Sequence, residues 1–523
     1  MHDEEGTLAT TTSLCPTCLD RVPGRYVARD GSVHLARRCP EHGETSRKVW
    51  DSLDHWRWAR DHGPTAPGDP GQDPLPTAEP EPNAEERADA PLEPEPDVDP
   101  SACGPGCGCG ATADASGDGT ADGTGTAGPA DRAPPGDDLV VDNDHACLAV
   151  VEVTQDCNLS CSYCFASSGP GGAGRSFAEV EGLLETIIES GGPRPVQFSG
   201  GEPTVRDDLP ELVERAREMG FEHVQVNTNG LALARREGYA ERLADAGVTA
   251  VYLQFDGLEP STYEAIREVD LTDEKHAAIA ACRRADLPVV LVPTVVPGVN
   301  DGAEMAGIVR FGLDNLDVVE SINFQPVAHF GRVAERHDRF SLDEAARRLA
   351  EGFDGLAARD FLPIPCCSSY CQSATALRPD GEGGAVPLTR FFDEELIDSL
   401  AGEIDESDWM EMLANTPAGT ESACSAGACC DVDVPAGAAS FLEGTLPVSF
   451  TGFMDADAAD VERLDDCCIS VPTPDGELVP FCAYNMTTDD GAYALRTRHG
   501  WGGRPRVDAP VPGEDGSVAS DDD

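Results

Sequence analysis

Lysine is almost absent from this chain of 523 residues. Only Lys48 and Lys275 occur, so arginine supplies nearly all of the 37 basic residues, which 96 acidic residues outnumber. The net charge of −59 excludes a protein that coats nucleic acid, because phosphate binding needs a basic face, and it disfavours polybasic docking on anionic lipid. Many acids with few lysines predict a halophilic protein whose self-repulsion is screened by salt. The alternative is an ordinary acidic protein with an acidic linker.

Long apolar runs are also missing. The first residues, MHDEEGTLATTTSL, have neither a basic stretch nor an apolar core and do not resemble a signal peptide. No run approaches the roughly 18 apolar residues of a membrane-spanning helix. We therefore expect a cytoplasmic protein with no transmembrane segment and at most transient membrane contact.

Cysteine, in contrast, is abundant, with 20 residues. Disulfides are rare in a reducing cytosol, so clustered cysteines there predict metal ligands. Cys147 and Cys282 stand apart from the clusters and are predicted to be small buried hydrophobic residues.

Composition divides the chain into five predicted parts. These are a Cys/His metal-binding module at 1–60, an acidic Pro/Gly-rich linker with a cysteine cluster at 61–140, a barrel core at 141–345, a cysteine-rich region at 346–490 and an acidic tail at 491–523. The linker and the tail cannot bury enough apolar surface to order themselves, so we predict that both are disordered.

Apolar runs of strand length alternate with segments of helical period from about residue 145 onwards. The predicted strands are Leu148–Thr154, Val196–Gly200, His223–Thr228, Ala250–Phe255, Val289–Val295 and Ile322–Val327. A helix after Ser341, with Glu344 completing a capping box, is predicted to reach about Ala358, and an irregular region follows it. Strands that alternate with helices imply a parallel sheet with right-handed crossovers. The predicted fold class is α/β, a partial (β/α)6 TIM-like barrel, and a doubly wound open sheet is the alternative.

The most specific motif follows the first predicted strand. Cys157, Cys161 and Cys164 form a C-x3-C-x2-C triplet at the carboxyl end of that strand, where barrels place their active sites. Three thiolates on one short loop can hold three irons of a cubane cluster and leave the fourth iron open. The second strand ends in a Gly-Gly-Glu-Pro turn, whose glycines allow close backbone approach and whose Glu202 can pair with an ammonium. A structural zinc site in a barrel, the alternative, leaves this turn unexplained.

Together these motifs resemble the signature of the radical S-adenosylmethionine (SAM) superfamily. The resemblance implies a [4Fe-4S] cluster on the triplet, which reductively cleaves SAM to methionine and a 5′-deoxyadenosyl radical that removes hydrogen from an unactivated carbon. A low-potential electron donor such as a ferredoxin is implied as a partner. The residues implied to bind SAM are Tyr163, Phe165, Gly200, Gly201, Glu202, Pro203, Asn229, Asp256 and Val296.

A separate metal site is predicted in the N-terminal module. Cys15, Cys18, Cys39 and His42 have the spacing C-x2-C-x20-C-x2-H, and four such ligands on two knuckles form a closed tetrahedral site. The metal is either zinc or a rubredoxin-type iron. His42 is either the fourth ligand or a bystander, in which case a cysteine of the 103–109 group takes its place.

Cysteine clusters that accompany such a barrel imply auxiliary iron–sulfur clusters. We expect one residue of each adjacent pair to be a ligand, because two neighbouring side chains rarely face one metal. The ligands favoured for one auxiliary cluster are Cys366 or Cys367 with Cys371, Cys467 and Cys482. Cys103 and Cys107 are predicted to contribute to a second cluster, and the alternative is that this acidic insert binds nothing.

A narrower resemblance covers 15–60 and 145–486. Its motifs include Cys39-Pro-Glu-His-Gly43, Tyr252-Leu-Gln-Phe-Asp-Gly257 and Pro480-Phe-Cys-Ala-Tyr-Asn485. They resemble the subfamily of archaeal tetraether lipid synthase and of methanogen proteins once assigned as pterin methyltransferases. That subfamily implies three cubane clusters and a rubredoxin-like iron.

Four functions stay open at this point. The favoured one is a radical SAM enzyme of lipid biosynthesis that forms carbon–carbon bonds on an isoprenoid or similar apolar substrate, which requires a long apolar tunnel. The alternatives are radical methylation of a pterin-like heterocycle, peptide maturation that uses auxiliary clusters, and a non-enzymatic electron-transfer or cluster-carrier protein.

Overall fold

The computed structural model describes residues 6–61, 146–364, 368–381, 384–391, 421–422, 433–434, 444–499 and 501. Cys103, Cys107, Cys366 and Cys367, with most of the predicted linker and tail, lie outside the described residues. Among the residues that are described, no helix has both the length and the apolar character needed to cross a membrane.

The N-terminal 61 residues form a four-stranded antiparallel sheet and a short helix. The elements are β1 (Thr7–Leu14), β2 (Arg21–Arg29), β3 (Ser32–Cys39), β4 (Gly43–Trp50) and α1 (Leu53–Asp61), with the strands paired in chain order. Side-chain alternation buries Tyr26 opposite Leu35. The turns after β1 and β3 carry the predicted metal ligands.

A second, larger sheet begins at Leu148. Its longer strands are β5 (Leu148–Thr154), β7 (Val196–Gly200), β8 (Val224–Thr228), β9 (Ala250–Gln254), β10 (Val289–Val292), β12 (Val319–Pro326), β15 (Gln372–Pro379), β19 (Leu446–Thr451) and β20 (Ile469–Pro472). Its short strands are β11 (Thr294–Val295), β14 (Leu362–Pro363), β16 (Ala385–Pro387) and β21 (Leu478–Pro480). Two separate two-stranded sheets consist of β6 (Tyr163–Cys164) with β13 (Arg332–Val333) and of β17 (Glu421–Ser422) with β18 (Asp433–Val434).

Eight strands in the described part of this sheet run parallel, in the spatial order β20-β5-β7-β8-β9-β10-β12-β19. The helices of this part are α2 (Phe177–Glu189), α3 (Leu209–Glu218), α4 (Leu231–Arg235), α5 (Tyr239–Ala246), α6 (Pro260–Arg267), α7 (Thr272–Arg284), α8 (Ala303–Asp314), α9 (Leu342–Ala350), α10 (Val461–Asp465) and α11 (Phe481–Asn485). Outward-facing Phe198 and Val226 pack in one core with helix residues such as Leu184 and Leu212. The opposite face, which carries Gln197 and Gln225, lines a cavity.

This arrangement confirms the α/β prediction and favours the partial barrel over the doubly wound sheet. The predicted strands match the observed ones to within a few residues. The prediction failed at α9, which ends at Ala350 rather than Ala358. Ser341 does not cap it with its side chain but donates to Asp343 Oδ1 at 2.6 Å, so the predicted capping box is absent. The region after α9, predicted to be irregular, contributes the parallel strands β19 and β20.

Buried polar contacts join the N-terminal sheet to the segment that precedes α10. Asp460 accepts hydrogen bonds from Thr11 Oγ1 at 2.7 Å and from the Tyr26 hydroxyl. Arg37, which is 4% exposed, donates to the carbonyl of Ala456 at 2.9 Å. Because buried polar groups are costly when unpaired, these contacts fix the N-terminal module on the barrel.

A buried ion pair holds the C-terminal segment on the first barrel strand. Arg496 is 0% exposed and bonds Glu152 of β5, which is 3% exposed, and it donates to Asn485 Oδ1 at 2.5 Å. Tyr484 Oη also donates to Glu152, at 3.2 Å. Burial disfavours the guanidinium charge, but the negative charge of Glu152 raises the pKa of Arg496. Each member of the pair therefore offsets the cost of burying the other.

We predict that Arg496→Met lowers the free energy of unfolding by about 3–5 kcal/mol, because it leaves the Glu152 carboxylate buried without its cation. The matched control is Arg235→Met. Its ion pair with Glu274 is 61% exposed on the arginine side, so we expect a loss of about 0–1 kcal/mol. Denaturant unfolding of both variants measures the difference. Equal losses would contradict the importance assigned to the buried pair.

Candidate active site and metal centres

The inner face of the large sheet encloses a cavity of ≈ 240 Å³. Cys157, Cys161 and Cys164 line it at the carboxyl end of the strands, as expected for a barrel active site. Their ligand atoms do not all lie within 4.8 Å of one another, since among the described residues only the N-terminal ligand group meets that distance. This spacing is wider than a mononuclear metal site requires, and the donor set of three thiols suits a cluster.

The Gly-Gly-Glu turn lies directly against the start of the triplet loop. The backbone N–H of Gly201 donates to Thr154 O at 2.7 Å, and that of Glu202 donates to Asp156 O at 2.9 Å. A Cβ on Gly200 would lie 2.2 Å from Thr154 O, and one on Gly201 would lie 2.3 Å from Asp156 O. The two glycines are therefore required for this backbone approach.

Glu202 is 1% exposed and joins the carboxyl ends of β7 and β8. Its Oε1 accepts from Thr204 and, at 2.7 Å, from Thr228 Oγ1. Its Oε2 accepts the backbone N–H of Asn229 at 2.7 Å. Oε1 already accepts from several donors, whereas Oε2 accepts from one. Oε2 is therefore the oxygen that can accept a further hydrogen bond from a cationic ligand group.

Asp256 supports an arginine at the triplet. It is fully buried and binds Arg267 through both oxygens, at 2.7 and 2.8 Å. Arg267 lines the cavity, whereas Asp256 does not. Burial opposes the charge of Arg267, but Asp256 and then Cys161 raise its pKa. Burial also raises the pKa of the Cys161 thiol, and Arg267 acts in the opposite direction by favouring the thiolate.

One of the two lysines is buried beside this site. Lys275 is 1% exposed, and its Nζ donates to Asn229 O at 2.6 Å and to Gln254 Oε1 at 3.1 Å. Burial lowers its pKa to about 8. The ammonium holds the ends of β8 and β9 together, close to the cavity wall.

Six of the nine residues that the sequence implied as SAM-binding line the cavity. They are Tyr163, Phe165, Gly200, Gly201, Glu202 and Asn229. Pro203, Asp256 and Val296 do not line it. Pro203 begins the turn behind Glu202, and Val296 packs with Tyr163 and Ile266. These three residues support the site from behind.

Sequence reasoning missed the inner wall of the cavity. Uncharged polar side chains line it on successive strands; they include Gln197, Gln225, Asn227, Gln254, Asn323 and Gln325. Aromatic side chains also line the cavity, with Phe165 and Phe453 each next to Phe481 at ring-centroid distances of 5.5 and 5.0 Å. The sequence did contain a signal for this wall: Gln or Asn occurs at alternate positions of strands that are otherwise largely apolar, which places these amides on one face of the sheet.

The N-terminal ligands do come together. The ligand atoms of Cys15, Cys18, Cys39 and His42 all lie within 4.8 Å of one another. His42 Nδ1 is 3.6 Å from Cys15 Sγ and 3.4 Å from Cys39 Sγ. Although burial disfavours the thiolate, the N–H groups of His42 and Glu41 help to lower the pKa of Cys39 to about 7. This donor set fits one tetrahedral metal ion.

Three of the predicted auxiliary ligands also approach one another. Burial raises the pKa of Cys467, and the next contributions include those from Cys482 and Cys371. Cys371 Sγ accepts from Arg463 Nη2 at 3.1 Å. The neighbouring Cys468 packs with Cys147 and also with Cys371.

The two isolated cysteines differ in their surroundings. Cys282 is fully buried on α7, as predicted. Cys147 is only half-buried and donates its backbone N–H to Cys468 O at 2.8 Å. The prediction that Cys147 is an isolated buried hydrophobic residue is therefore wrong, because the fold brings it to a second cysteine.

Comparisons with known proteins agree with this geometry. The model of the radical SAM superfamily matches residues 151–311, and that of the HMPTM N-terminal zinc ribbon domain matches residues 7–51. The 7,8-dihydro-6-hydroxymethylpterin dimethyltransferase of Methanocaldococcus jannaschii is 30% identical, over 91% of this chain and 93% of that protein. This chain belongs to the radical SAM superfamily.

Other relatives match a smaller part of the chain. A probable GTP 3′,8-cyclase of Methanothermobacter thermautotrophicus is 31% identical over 40% of this radical SAM protein and 68% of the cyclase. The crystal structure of Streptococcus suis SuiB with its precursor peptide SuiA has 16% identity and a TM-score of 0.35, and the match covers 40% of this chain and 45% of SuiB. The methanogen side of the predicted subfamily resemblance is thus confirmed. The resemblance to tetraether lipid synthase stays a prediction.

We predict that Gly201→Ala prevents cluster assembly on the triplet, because the new Cβ would collide with the carbonyl of Asp156. The matched control is Gly182→Ala in α2, where an added Cβ meets nothing within 4 Å. Iron content and the electron paramagnetic resonance signal of the reduced cluster measure the effect. A normal signal from Gly201→Ala would show that the close approach is dispensable.

We predict that His42→Ala weakens metal binding in the N-terminal module by about tenfold or more, because it removes one of four ligands. His34→Ala, a change on β3 outside the ligand group, is the control. Titration of the cluster-free full chain with Co²⁺, followed by thiolate-to-cobalt absorption, gives the affinity. An unchanged affinity would make His42 a bystander and point to a cysteine of the 103–109 group.

Proposed function

We propose that this protein is a radical SAM methyltransferase whose substrate is a pterin-like heterocycle. The observation that carries the proposal is the composition of the cavity beside the triplet. Its lining includes uncharged amide side chains on the strands as well as aromatic rings. A flat heterocycle has polar edges and apolar faces, so it matches both kinds of lining residue. Full-length similarity to a pterin dimethyltransferase supports the same choice.

The lipid reading favoured by the sequence receives less support. It required a long apolar tunnel, whereas amide side chains from several strands lie among the apolar residues that line this cavity. None of the comparisons described above concerns a lipid synthase. Carbon–carbon bond formation on an isoprenoid is therefore retained only as an outcome of the test.

The residues that fit the cofactors have distinct roles in this proposal. Cys157, Cys161 and Cys164 hold a [4Fe-4S] cluster, which when bound supplies the electron that cleaves SAM. Gly200 and Gly201 permit close approach of the methionine part of SAM, and Glu202 Oε2 accepts from its ammonium. Arg267 balances the charge of the sulfur ligands.

The net reaction can be balanced for one methyl group. When a second SAM rather than another one-carbon source donates the methyl group, a substrate C–H bond is replaced by a C–CH₃ bond, with two SAM molecules and two low-potential electrons consumed. The products are the methylated substrate, methionine, 5′-deoxyadenosine, which carries the removed hydrogen, and S-adenosylhomocysteine. A ferredoxin-class donor supplies both electrons.

We further propose that Cys371, Cys467 and Cys482 hold an auxiliary iron–sulfur cluster. Their mutual electrostatic influence and the donation from Arg463 to Cys371 support this assignment. Cys366 or Cys367, outside the described residues, is the proposed fourth ligand. The N-terminal module is proposed to hold one zinc or iron ion.

We predict that the reconstituted enzyme, given SAM and a strong reductant, forms 5′-deoxyadenosine and a methylated pterin from 6-hydroxymethyl-7,8-dihydropterin. Cys161→Ala is expected to abolish both products. Cys282→Ala, a fully buried thiol outside the site, is the matched control and keeps both. SAM labelled on its methyl group, followed by mass spectrometry, traces the transferred carbon. Coupling of isoprenoid lipid chains without any methylation of the pterin would overturn the proposal.

A further inference from the structure

Two glutamines on neighbouring strands form an amide pair in the inner part of the cavity. Gln197 of β7 and Gln225 of β8 are partners in the parallel ladder. The side-chain Nε2 of Gln197 donates to Gln225 Oε1 at 3.1 Å. Both side chains line the cavity.

One shared hydrogen bond leaves this pair with a carbonyl oxygen and an amino group still to be satisfied. Among the described residues no other group bonds the Oε1 of Gln197 or the Nε2 of Gln225. Exchanging the oxygen and nitrogen of both amides would reverse the shared bond and still leave one donor and one acceptor. The pair thus presents a donor and an acceptor side by side, whichever orientation it takes.

A third amide extends this surface along β8. Asn227 follows Gln225 by two residues and faces the same cavity. Its Nδ2 donates to Ser199 Oγ at 3.2 Å, and its Oδ1 accepts no hydrogen bond from the described residues. With the two glutamine amides exchanged, the inner wall therefore offers a donor from Gln197 and acceptors from Gln225 and Asn227, in that order, on two adjacent strands.

Charge is confined to the other end of the cavity. The charged residues that line it are Glu202, Arg267 and Arg332, each held by neighbouring groups near the triplet. Arg332, for example, donates to Cys161 O at 2.6 Å and to Ser168 O at 2.9 Å. A ligand edge that meets Gln197 and Gln225 is therefore recognised by neutral hydrogen bonds rather than by ion pairing.

We infer that Gln197 and Gln225 are specificity residues that bind the 2-amino-4-oxo edge of a pterin ring, with Asn227 as an additional acceptor. The inference rests on the proposed function and adds the orientation of the substrate. That ring edge presents one acceptor, O4, followed by two donors, N3–H and the 2-amino group, which complements a donor from Gln197 and acceptors from Gln225 and Asn227, and paired amide groups bind such edges by bidentate hydrogen bonding. The rest of the heterocycle then extends from the amide pair towards the triplet.

The test is equilibrium binding of 6-hydroxymethyl-7,8-dihydropterin to the reconstituted full-length enzyme. We expect Gln225→Leu and Gln197→Leu each to weaken binding by about tenfold or more, because a polar edge of the ligand would face an aliphatic side chain. Glu185→Leu, which places leucine on the exposed outer face of α2, is the matched control and keeps the wild-type affinity. SAM affinity and the cluster spectrum should be unchanged in all three variants.

A second measurement uses the wild-type protein and does not depend on the folding of variants. The same pterin without its 2-amino group is expected to bind at least about tenfold more weakly, since the site's amides would lose a partner. Equal affinity for both compounds, or unchanged binding in both glutamine variants, would overturn the inference and leave the proposed function intact. Failure of the wild-type enzyme to bind any pterin would instead overturn the proposed function.

Discussion

The site depends on a backbone contact that only glycine permits. The turn after β7 donates two main-chain hydrogen bonds to the loop that carries the cysteine triplet, at distances of 2.7 and 2.9 Å. A Cβ atom at Gly200 or at Gly201 would overlap one of the two carbonyl oxygens that accept these bonds. Main-chain hydrogen bonds, rather than flexible side chains, therefore position the loop that carries the triplet. Glu202, the next residue, extends the same contact to the end of β8 through its carboxylate.

The other end of the triplet region is fixed by residues from far along the chain. Tyr493 Oη donates to Phe165 O at 2.6 Å, directly after the last cysteine of the triplet. The segment that carries Tyr493 is held in turn by the Arg496–Glu152 pair on β5. The C-terminal segment thus contacts both the first strand and the loop that carries the cysteine triplet.

Much of this organisation could be predicted from local sequence. The strand positions followed from apolar runs, and the triplet, the Gly-Gly-Glu turn and the N-terminal ligands followed from spacing, because each is set by a few adjacent residues. Contacts between distant residues could not be predicted in this way. The pairing of β20 with β5 joins residues more than 300 positions apart, and nothing local to Ile469 distinguishes a parallel neighbour from an irregular segment. For the same reason the sequence did not reveal that Cys147 lies beside Cys468, or that amides from several strands share one wall.

Several buried arginines lie close to buried sulfur. Thiolates are costly to bury, and burial is the largest influence that raises the pKa of Cys157, Cys161, Cys467 and Cys482. Each buried thiol region has an arginine near it: Arg267 by Cys161, Arg463 by Cys371, and Arg496 close enough to Cys164 to be influenced by its charge. In a chain with a net charge of −59, these few positive charges are placed inside, where the dielectric is low and each interacts most strongly. Two of these buried arginines also bind buried carboxylates, Asp256 and Glu152, so the same cations offset the burial of carboxylate as well as of sulfur.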